Sequence, residues 1–437
     1  MKMAFRGGIH PPQLKEFTKD KPIETMPLPN KVFVFLANHA GNPSKLIVSP
    51  GDEVKAGQII GVPDGYISSY VHSPLTGRVV EVKKIFHPVL GRPMDAVVIE
   101  KISEDRDQWM RLDTSGDFER MTREEILDLV RRAGVVGLGG AMFPTHVKLS
   151  PPPEKKVDTL IINGAECESV LTIDHRLMLE RAEEILLGIL IMMKVLKVEK
   201  AMLGIEDNKR DAYEHLKRVF KGYPVELKLL KTKYPQGAEK QLIYTLTGRK
   251  VPRGGLPMDV GVIVQNVGTC VAVKEAVIDG KPLIERGLTV SGDGVREPKN
   301  LMVRIGTPVS EVLEYCGGID EKTEKVLLGG PMTGISITDL SIPILKGTSG
   351  ITALLPRETG VQKPCIRCSR CVIACPMNLQ PYLLYLLATK RRYDDAVNEG
   401  LMDCIECGSC SYVCPSKIEH VRHIKLAKNV SRATRRG

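Results

Sequence analysis

Aromatic residues are scarce in this sequence: Phe, Tyr and Trp make up 5% of its 437 residues, with a single tryptophan, Trp109. Its cores must therefore rest on Leu, Ile, Val and Met. Long apolar runs are lacking too. The longest, Ile185–Leu196, is broken by Lys194 and is too short to cross a bilayer, so it reads as one buried helix. The N-terminal MKMAFRGGIHPPQ has no apolar core of signal-peptide length. The expectation is a cytoplasmic protein with no transmembrane helix. With 43% hydrophobic and 26% charged residues the balance is that of a globular chain, and the length calls for three or four domains.

The formal net charge of +10 is unevenly spread: from Lys417 to Arg436 there are seven basic residues and one acid, Glu419. Two readings stand, a solvated last helix and tail or a surface that docks onto an acidic partner or anionic membrane face. Nucleic acid is disfavoured, because no aromatic residue interleaves with the basic ones after Tyr412. Of 11 cysteines, eight fall in the last 75 residues. In a reducing compartment such density points to metal before disulfide.

PCIRCSRCVIACP (Pro364–Pro376) and DCIECGSCSYVCP (Asp403–Pro415) both have the C-x2-C-x2-C-x3-C-P spacing of bacterial ferredoxins. Three close cysteines wrap a loop around three irons of a cubane, while the fourth lies too far round and reaches the other cluster. Cys365, Cys368, Cys371 and Cys414 are thus expected to bind one [4Fe–4S] cluster, and Cys404, Cys407, Cys410 and Cys375 the second. Four thiolates also suit zinc, but zinc sites more often use separated cysteine pairs. The segment between the runs reads as helical with one apolar face, so the module packs on something larger. Cys167, Cys270 and Cys316 are isolated and read as buried small hydrophobes.

Residues 1–103 show little helical periodicity. Short β-branched runs, Lys31–Leu36 and Ala96–Ile99, alternate with Gly- and Pro-bearing turns, as in a small β domain. Within it, LIVSPGDEVKAGQIIG followed by VHSPLTGRVVEV resembles the two halves of a lipoyl/biotinyl-type β-sandwich. That family carries its cofactor on a hairpin lysine, and the hairpin here, DGYISSYV, has none, so a structural or interaction module is expected. A charged linker (Glu104–Glu119) leads to a helix opening at Thr122, with Glu124 and Glu125 in its first turn.

Over 120–280, strands VDTLIIN, KAMLGIE, VELKLLK and VGVIVQNV alternate with helices at His175–Lys197, Asn208–Lys221, Ala238–Leu246 and from about Thr269. This order specifies a three-layer α/β domain with a mainly parallel sheet. Residues 281–355 read as strand, turn, strand and a short helix from about Thr307, a compact α+β module. A cysteine module over 360–425 and a basic tail over 426–437 complete the chain.

The glycine cluster AGVVGLGGAMFPTHVK, ending in Lys148, can crowd backbone amides around a phosphate. It is neither a Walker loop nor a dinucleotide fingerprint, and alone it also suits a plain loop before a helix. IINGAECES, at the C-terminal end of an apolar strand, stands where open α/β sheets bind ligands.

Together these two motifs resemble the flavin-binding subunit of respiratory complex I, whose GRGGAGFPTG-x-K loop binds FMN phosphate and whose NADE-x-E segment lies beside flavin and NADH. Gly137, Gly139, Gly140, Phe143, Pro144, Thr145 and Lys148 match the first, and Asn163, Glu166 and Glu168 the second. Tyr234, Gly237 and Glu239 align with the family's Y-x-x-G-E-E, and Asn266 and Thr269 with its N-V-E-T. Leu138 stands for the loop arginine, Met142 and His146 each for a glycine, and Ala238 and Gly268 each for a glutamate.

With two clusters and a leading β domain, the whole chain resembles the RnfC family, a component of the Rnf electron-transport complex. The resemblance implies a lipoyl-like β-sandwich, a Rossmann-like α/β FMN/NADH domain, a β-grasp-like soluble-ligand-binding module and a helical two-cluster ferredoxin-type domain. It implies a peripheral subunit at the cytoplasmic face of the inner membrane. Its partners would be the complex's membrane subunits and ferredoxin-like cluster subunit, with ferredoxin reached indirectly. Its activity would be transfer of electrons between NAD(H), FMN and two clusters, coupled to ion translocation. The resemblance assigns Lys148 and the loop to the phosphate, Phe143 to stacking, and Glu166, Glu168 and Glu239 to orienting flavin and nicotinamide; no catalytic acid or base is required. Two other readings remain: a soluble cobalamin-reductase-type flavoprotein, and a cluster-only electron relay.

Overall fold

A computed structural model describes residues 4–357 and 360–434. The chain builds a β-sandwich, an α/β layer structure, a mixed α+β module and a helical cysteine module. The sandwich joins one sheet of Lys31–Phe35, Arg92–Lys101, Gly77–His87 and Glu53–Val54 to a second of Lys45–Leu46, Ile59–Val62 and Val71–His72. Val32, Val34, Ile60, Val79, Val97 and Ile99 fill the space between them.

The α/β unit has a four-stranded, all-parallel sheet in the order Val225–Leu230, Ala201–Glu206, Thr159–Gly164, Val262–Asn266. Successive side chains of one strand feed different layers. Leu160 and Ile162 join the core with helices Ala182–Leu196 and Val267–Val277, while Ile161 packs on the opposite side with Leu242, Ile243 and Leu246 of helix Glu239–Thr247. The first helix, Arg123–Arg132, is opened by Thr122 as expected, and the Thr122 side chain accepts from Glu125 N–H while the Glu125 carboxylate accepts from the Thr122 backbone N–H, a reciprocal cap.

The long helix expected over His175–Lys197 is instead two, Ile173–Glu180 and Ala182–Leu196, broken at Arg181 (φ −130°, ψ 34°). Neither glycine nor proline marks the break. The Arg181 guanidinium is held by Glu184 and, at 2.9 Å, by Glu275, while the two helices follow different targets. The later helix starts at Val267, capped by the Asn266 side chain accepting from Gly268 N–H, rather than near Thr269.

The third module is a six-stranded mixed sheet, ordered Ile23–Thr25, Lys299–Arg304, Glu285–Ser291, Gly350–Leu354, Lys325–Leu328, Ile335–Ile337. Residues 23–25 thus pair with a strand about 275 positions later. Between the cysteine runs lie helices Pro381–Thr389 and Tyr393–Asn398, and helix His420–Thr434 packs across them. The basic tail expected over 426–437 is, as far as it is described, the second half of that helix; 435–437 lie outside the described residues. Lys428 does not face solvent: its ammonium, on a 5% exposed side chain, sits 2.6 Å from Glu406 and donates to Cys404 O. Among the described residues no helix is long and apolar enough to cross a membrane.

Candidate flavin and cluster sites

The two cysteine runs share one backbone trick. The second residue after the first cysteine and the residue after the second cysteine are left-handed in both: Arg367 and Ser369 (φ 58° and 59°) in one, Glu406 and Gly408 (φ 57° and 81°) in the other. These kinks fold each loop inward. Arg367 and Glu406 N–H then donate to Cys365 and Cys404 Sγ at 3.4 Å each. Cys365, Cys368 and Cys371 ring a cavity of 250 Å³ whose fourth thiol is Cys414. Cys404, Cys407 and Cys410 ring a tighter one of 20 Å³ whose fourth is Cys375.

The fourth thiol of each ring therefore comes from the other run. Among the described residues no three such side chains close to single-ion distances; the four thiols of each set instead line one common cavity. Burial pushes the Cys404 thiol up to about 11 and raises Cys375. A bound cation reverses that penalty and makes the thiolate the stable form, so this donor set fits iron–sulfur ligation.

A larger cavity of 390 Å³ opens at the C-terminal ends of strands Thr159–Gly164 and Val262–Asn266. Eight of the thirteen residues singled out for cofactor contact line it: Gly139, Gly140, Asn163, Glu166, Glu168, Tyr234, Gly237 and Asn266. Five do not. Gly137 N–H donates to Phe143 O at 2.9 Å, closing the neck of the glycine loop. Thr269 Oγ1 accepts from Leu138 N–H and ties the loop to the helix behind it. Lys148 is 2.7 Å from Glu239, and the two neutralise each other outside the lining. Met142, where the resembling family has glycine, takes a left-handed φ of 51°, a backbone cost of about 1 kcal/mol.

The cavity's charged lining is wholly acidic: Glu166, Glu168 and Asp174. Burial raises all three carboxyls, Glu166 to about 7 despite the opposing Lys15 ammonium. Each is also engaged by protein donors. Glu166 accepts from Asp174 N–H at 2.7 Å and from His175 N–H, capping helix Ile173–Glu180. Glu168 accepts from Met332 N–H and Thr333 Oγ1 of the third module. Asp174 accepts from Asn266 Nδ2 at 2.7 Å.

The site's size and mixed apolar lining suit a flavin. Gly139 and Gly140 N–H groups donate to no acceptor among the described residues, and a Cβ at Gly140 would meet nothing within 4 Å. Free amides in an open glycine loop are what a phosphate requires, so the residues fit FMN.

Three contributions to this cavity escaped the sequence reading. Cys167 is more than core filling: it lines the cavity and accepts from Gly237 N–H at 3.2 Å. The loop Gly329–Ile335 of the third module supplies a further wall; its run GGPMTG was the available signal. Ile405 and Cys407 border both this cavity and the tighter cysteine ring.

Residues 3–104 match the RnfC barrel sandwich hybrid domain family, 130–275 the Nuo51 FMN-binding domain family, 288–336 the SLBB domain family and 364–418 the 4Fe-4S dicluster domain family. The chain is 49% identical, over 99% of its length and 95% of the relative's, to the C subunit of the proton-translocating ferredoxin:NAD(+) oxidoreductase complex of Clostridium ljungdahlii. It is 45% identical, over 99% and 98%, to the Na(+)-translocating counterpart of Acetobacterium woodii. It is 44% identical, over 91% and 78%, to the C subunit of an ion-translocating oxidoreductase complex of Rhodobacter capsulatus. Among solved structures, a chain of an NAD+-reducing [NiFe]-hydrogenase has a similar fold, with a TM-score of 0.52 at 20% identity over 72% of this chain and 63% of that one.

Proposed function

The chain belongs to the RnfC family of ion-translocating ferredoxin:NAD(+) oxidoreductase complexes, and on that premise we propose how its residues serve the electron transfer. It is an oxidoreductase subunit with an FMN-binding domain and a 4Fe-4S dicluster domain, working with the other subunits of that complex, ferredoxin and NAD. The working units are taken as 1–103, 120–280, 281–355, 360–425 and 426–437.

Bound FMN supplies the conversion between a hydride and single electrons. Gly139 and Gly140 would hold its phosphate through their free amides, with Gly137 and Phe143 fixing the loop's neck and Lys148 tied to Glu239 outside the lining. Asn163, Tyr234, Gly237, Asn266 and Thr269 shape the surrounding wall. Glu166 and Glu168 form an acidic side that orients flavin and nicotinamide. Cys365, Cys368, Cys371 and Cys414 hold one cluster, and Cys404, Cys407, Cys410 and Cys375 the other. The subunit sits peripherally at the cytoplasmic face of the inner membrane, a reading supported by the exposed Arg422, Lys425 and Arg432 on its last helix.

The observation that carries this reading is the wall of Ile405 and Cys407, common to the large cavity and one cysteine ring. A flavin bound in the cavity would thus share a wall with the residues that would hold one cluster, which would supply one-electron transfer. Gly139→Asp tests it by putting a carboxylate among the phosphate-binding amides. FMN affinity is expected to fall by about tenfold or more, with iron content unchanged. Wild-type protein that holds iron but has no affinity for FMN would make the chain a cluster-only relay.

A further inference from the structure

Residues 5–18 carry none of the cofactor roles given above, yet they run between the flavin cavity and the cysteine ring beside it. Gly7 and Gly8 are both left-handed (φ 76° and 78°), and both pass where a side chain has no room. A Cβ on Gly7 would stand 2.6 Å from the carbonyl oxygen of Cys375, the crossing ligand; one on Gly8 would stand 2.6 Å from Tyr234 O. Gly8 N–H donates to Ala374 O at 2.9 Å, and Ile9 exchanges two backbone hydrogen bonds with Tyr234, at 2.8 and 2.9 Å. Tyr234 lines the cavity, and its hydroxyl donates to Cys407 O at 2.7 Å. Ile9, Tyr234 and Ala374 form one buried apolar cluster, with Cys407 and Met332 packed against it.

Further along, the segment grips the acidic wall. The buried Lys15 ammonium donates to the carbonyl oxygens of Glu166, Glu168 and Leu171, at 3.0, 3.0 and 2.5 Å. Val170 N–H donates to Gln13 O and Ser169 Oγ to Pro12 O. Glu166 and Val170 are left-handed (φ 45° and 64°), a strained turn that three carbonyls converging on one cation help to hold.

We propose that this N-terminal strap is a positioning element for electron transfer: Gly7–Ile9 lock the Cys375 loop onto Tyr234, Lys15 locks the acidic wall, and together they fix the spacing between flavin cavity and nearer cluster. The proposal rests on the function given above and deepens it. A hydride brings two electrons, and they leave one at a time to the ring of Cys375, Cys404, Cys407 and Cys410, so that spacing is crossed twice per turnover. Transfer between fixed centres depends on their placement to within an ångström or so.

The test uses anaerobic holoprotein and separates two rates: NADH-driven ferricyanide reduction, drawn from the flavin, and cluster reduction followed by rapid-freeze EPR. Iron content and hydrogen exchange at the amides of Gly8, Ile9 and Tyr234 are read alongside. Gly7→Ala should slow cluster reduction by about tenfold or more, leave dye reduction and iron at wild-type levels, and speed exchange at the three amides. Gly51→Ala is the control, since Gly51 is equally left-handed (φ 97°) but a Cβ there meets nothing within 4 Å; it should change neither rate. Lys15→Met should also slow cluster reduction, and Lys15→Arg should recover much of it. Cluster reduction at the wild-type rate in Gly7→Ala and Lys15→Met, or an equal fall in both rates, overturns the proposal. Should Gly7→Ala lose iron, a wild-type rate in iron-replete Lys15→Met overturns it as well. Wild-type protein whose clusters NADH cannot reduce would refute the underlying function instead.

Discussion

Replacing Cys375 with alanine should remove iron from the far side of the sequence repeat. Cys375 belongs by sequence to the run that begins at Cys365, but its thiol borders the ring of Cys404, Cys407 and Cys410, while Cys365, Cys368 and Cys371 close with Cys414. Two cubanes give about eight irons in the wild type, so Cys375→Ala should hold about four. The double variants carry the decision, because groups acting in one unit are not additive. Cys375→Ala with Cys404→Ala removes two ligands of one ring and should still hold about four irons. Cys375→Ala with Cys365→Ala strikes both rings and should hold about none. Iron and sulfide quantitation on anaerobic protein reads this directly, and circular dichroism shows whether the fold persists. If the pair Cys375 and Cys365 behaves as a single loss while Cys375 and Cys404 add, each run binds its own cluster and the crossover is wrong.

Four further outcomes follow from buried groups, close packing and exposed charge. Lys346, buried and donating to Tyr70 O and Gly134 O, has its pKa lowered by burial to about 7; the unfolded chain binds that proton more tightly, so this group makes stability rise between pH 7 and 10.5, and Lys346→Met should flatten that part of a denaturation-versus-pH curve. Gly188, on helix Ala182–Leu196, would bring a Cβ to 2.0 Å from Cys270 O on the opposing helix, so Gly188→Ala should cost about 1–3 kcal/mol by urea unfolding, and an unchanged midpoint would show the helix pair to be loosely packed. Lys425→Glu with Arg432→Glu, both exposed, should release the subunit from its membrane complex at raised salt without loss of iron, whereas Lys428→Met should cost about 1–3 kcal/mol by stranding Glu406 and Cys404 O; equal co-purification of the charge-reversed protein would leave that face merely solvated.

What could be read from sequence was local. The cysteine spacing foretells which thiols line one cavity, because three thiols on one short loop must face one object, and the left-handed kinks at Arg367, Ser369, Glu406 and Gly408 realise that constraint. Apolar strands such as Thr159–Gly164 and the cap at Thr122 declare themselves in runs of a few residues. The hidden features depend on partners far away in the chain. Lys15 answers to carbonyls about 150 positions later, and Gly7 to Cys375, so nothing nearby marks either residue as more than a lysine or a turn glycine. Arg181 breaks a sequence that looks helical throughout because Glu184 and Glu275 hold its side chain. Lys148 ends a phosphate-type loop by spacing, yet Glu239, placed beside it by the fold, takes its charge. Cys167 looked like core filling because its exposure to the cavity is made by loops from three modules.

The central claim is that NADH delivers electrons to a flavin in the 390 Å³ cavity and that they leave through the cluster ring sharing its wall. Anaerobic titration of the holoprotein with NADH, following flavin absorbance and the cluster EPR signal together, tests it most directly. The account predicts that the flavin bleaches and a reduced-cluster signal then appears, and that in Cys375→Ala the flavin still bleaches while the remaining cluster stays oxidised on the turnover timescale. A fully reduced remaining cluster in Cys375→Ala at the wild-type rate would contradict it.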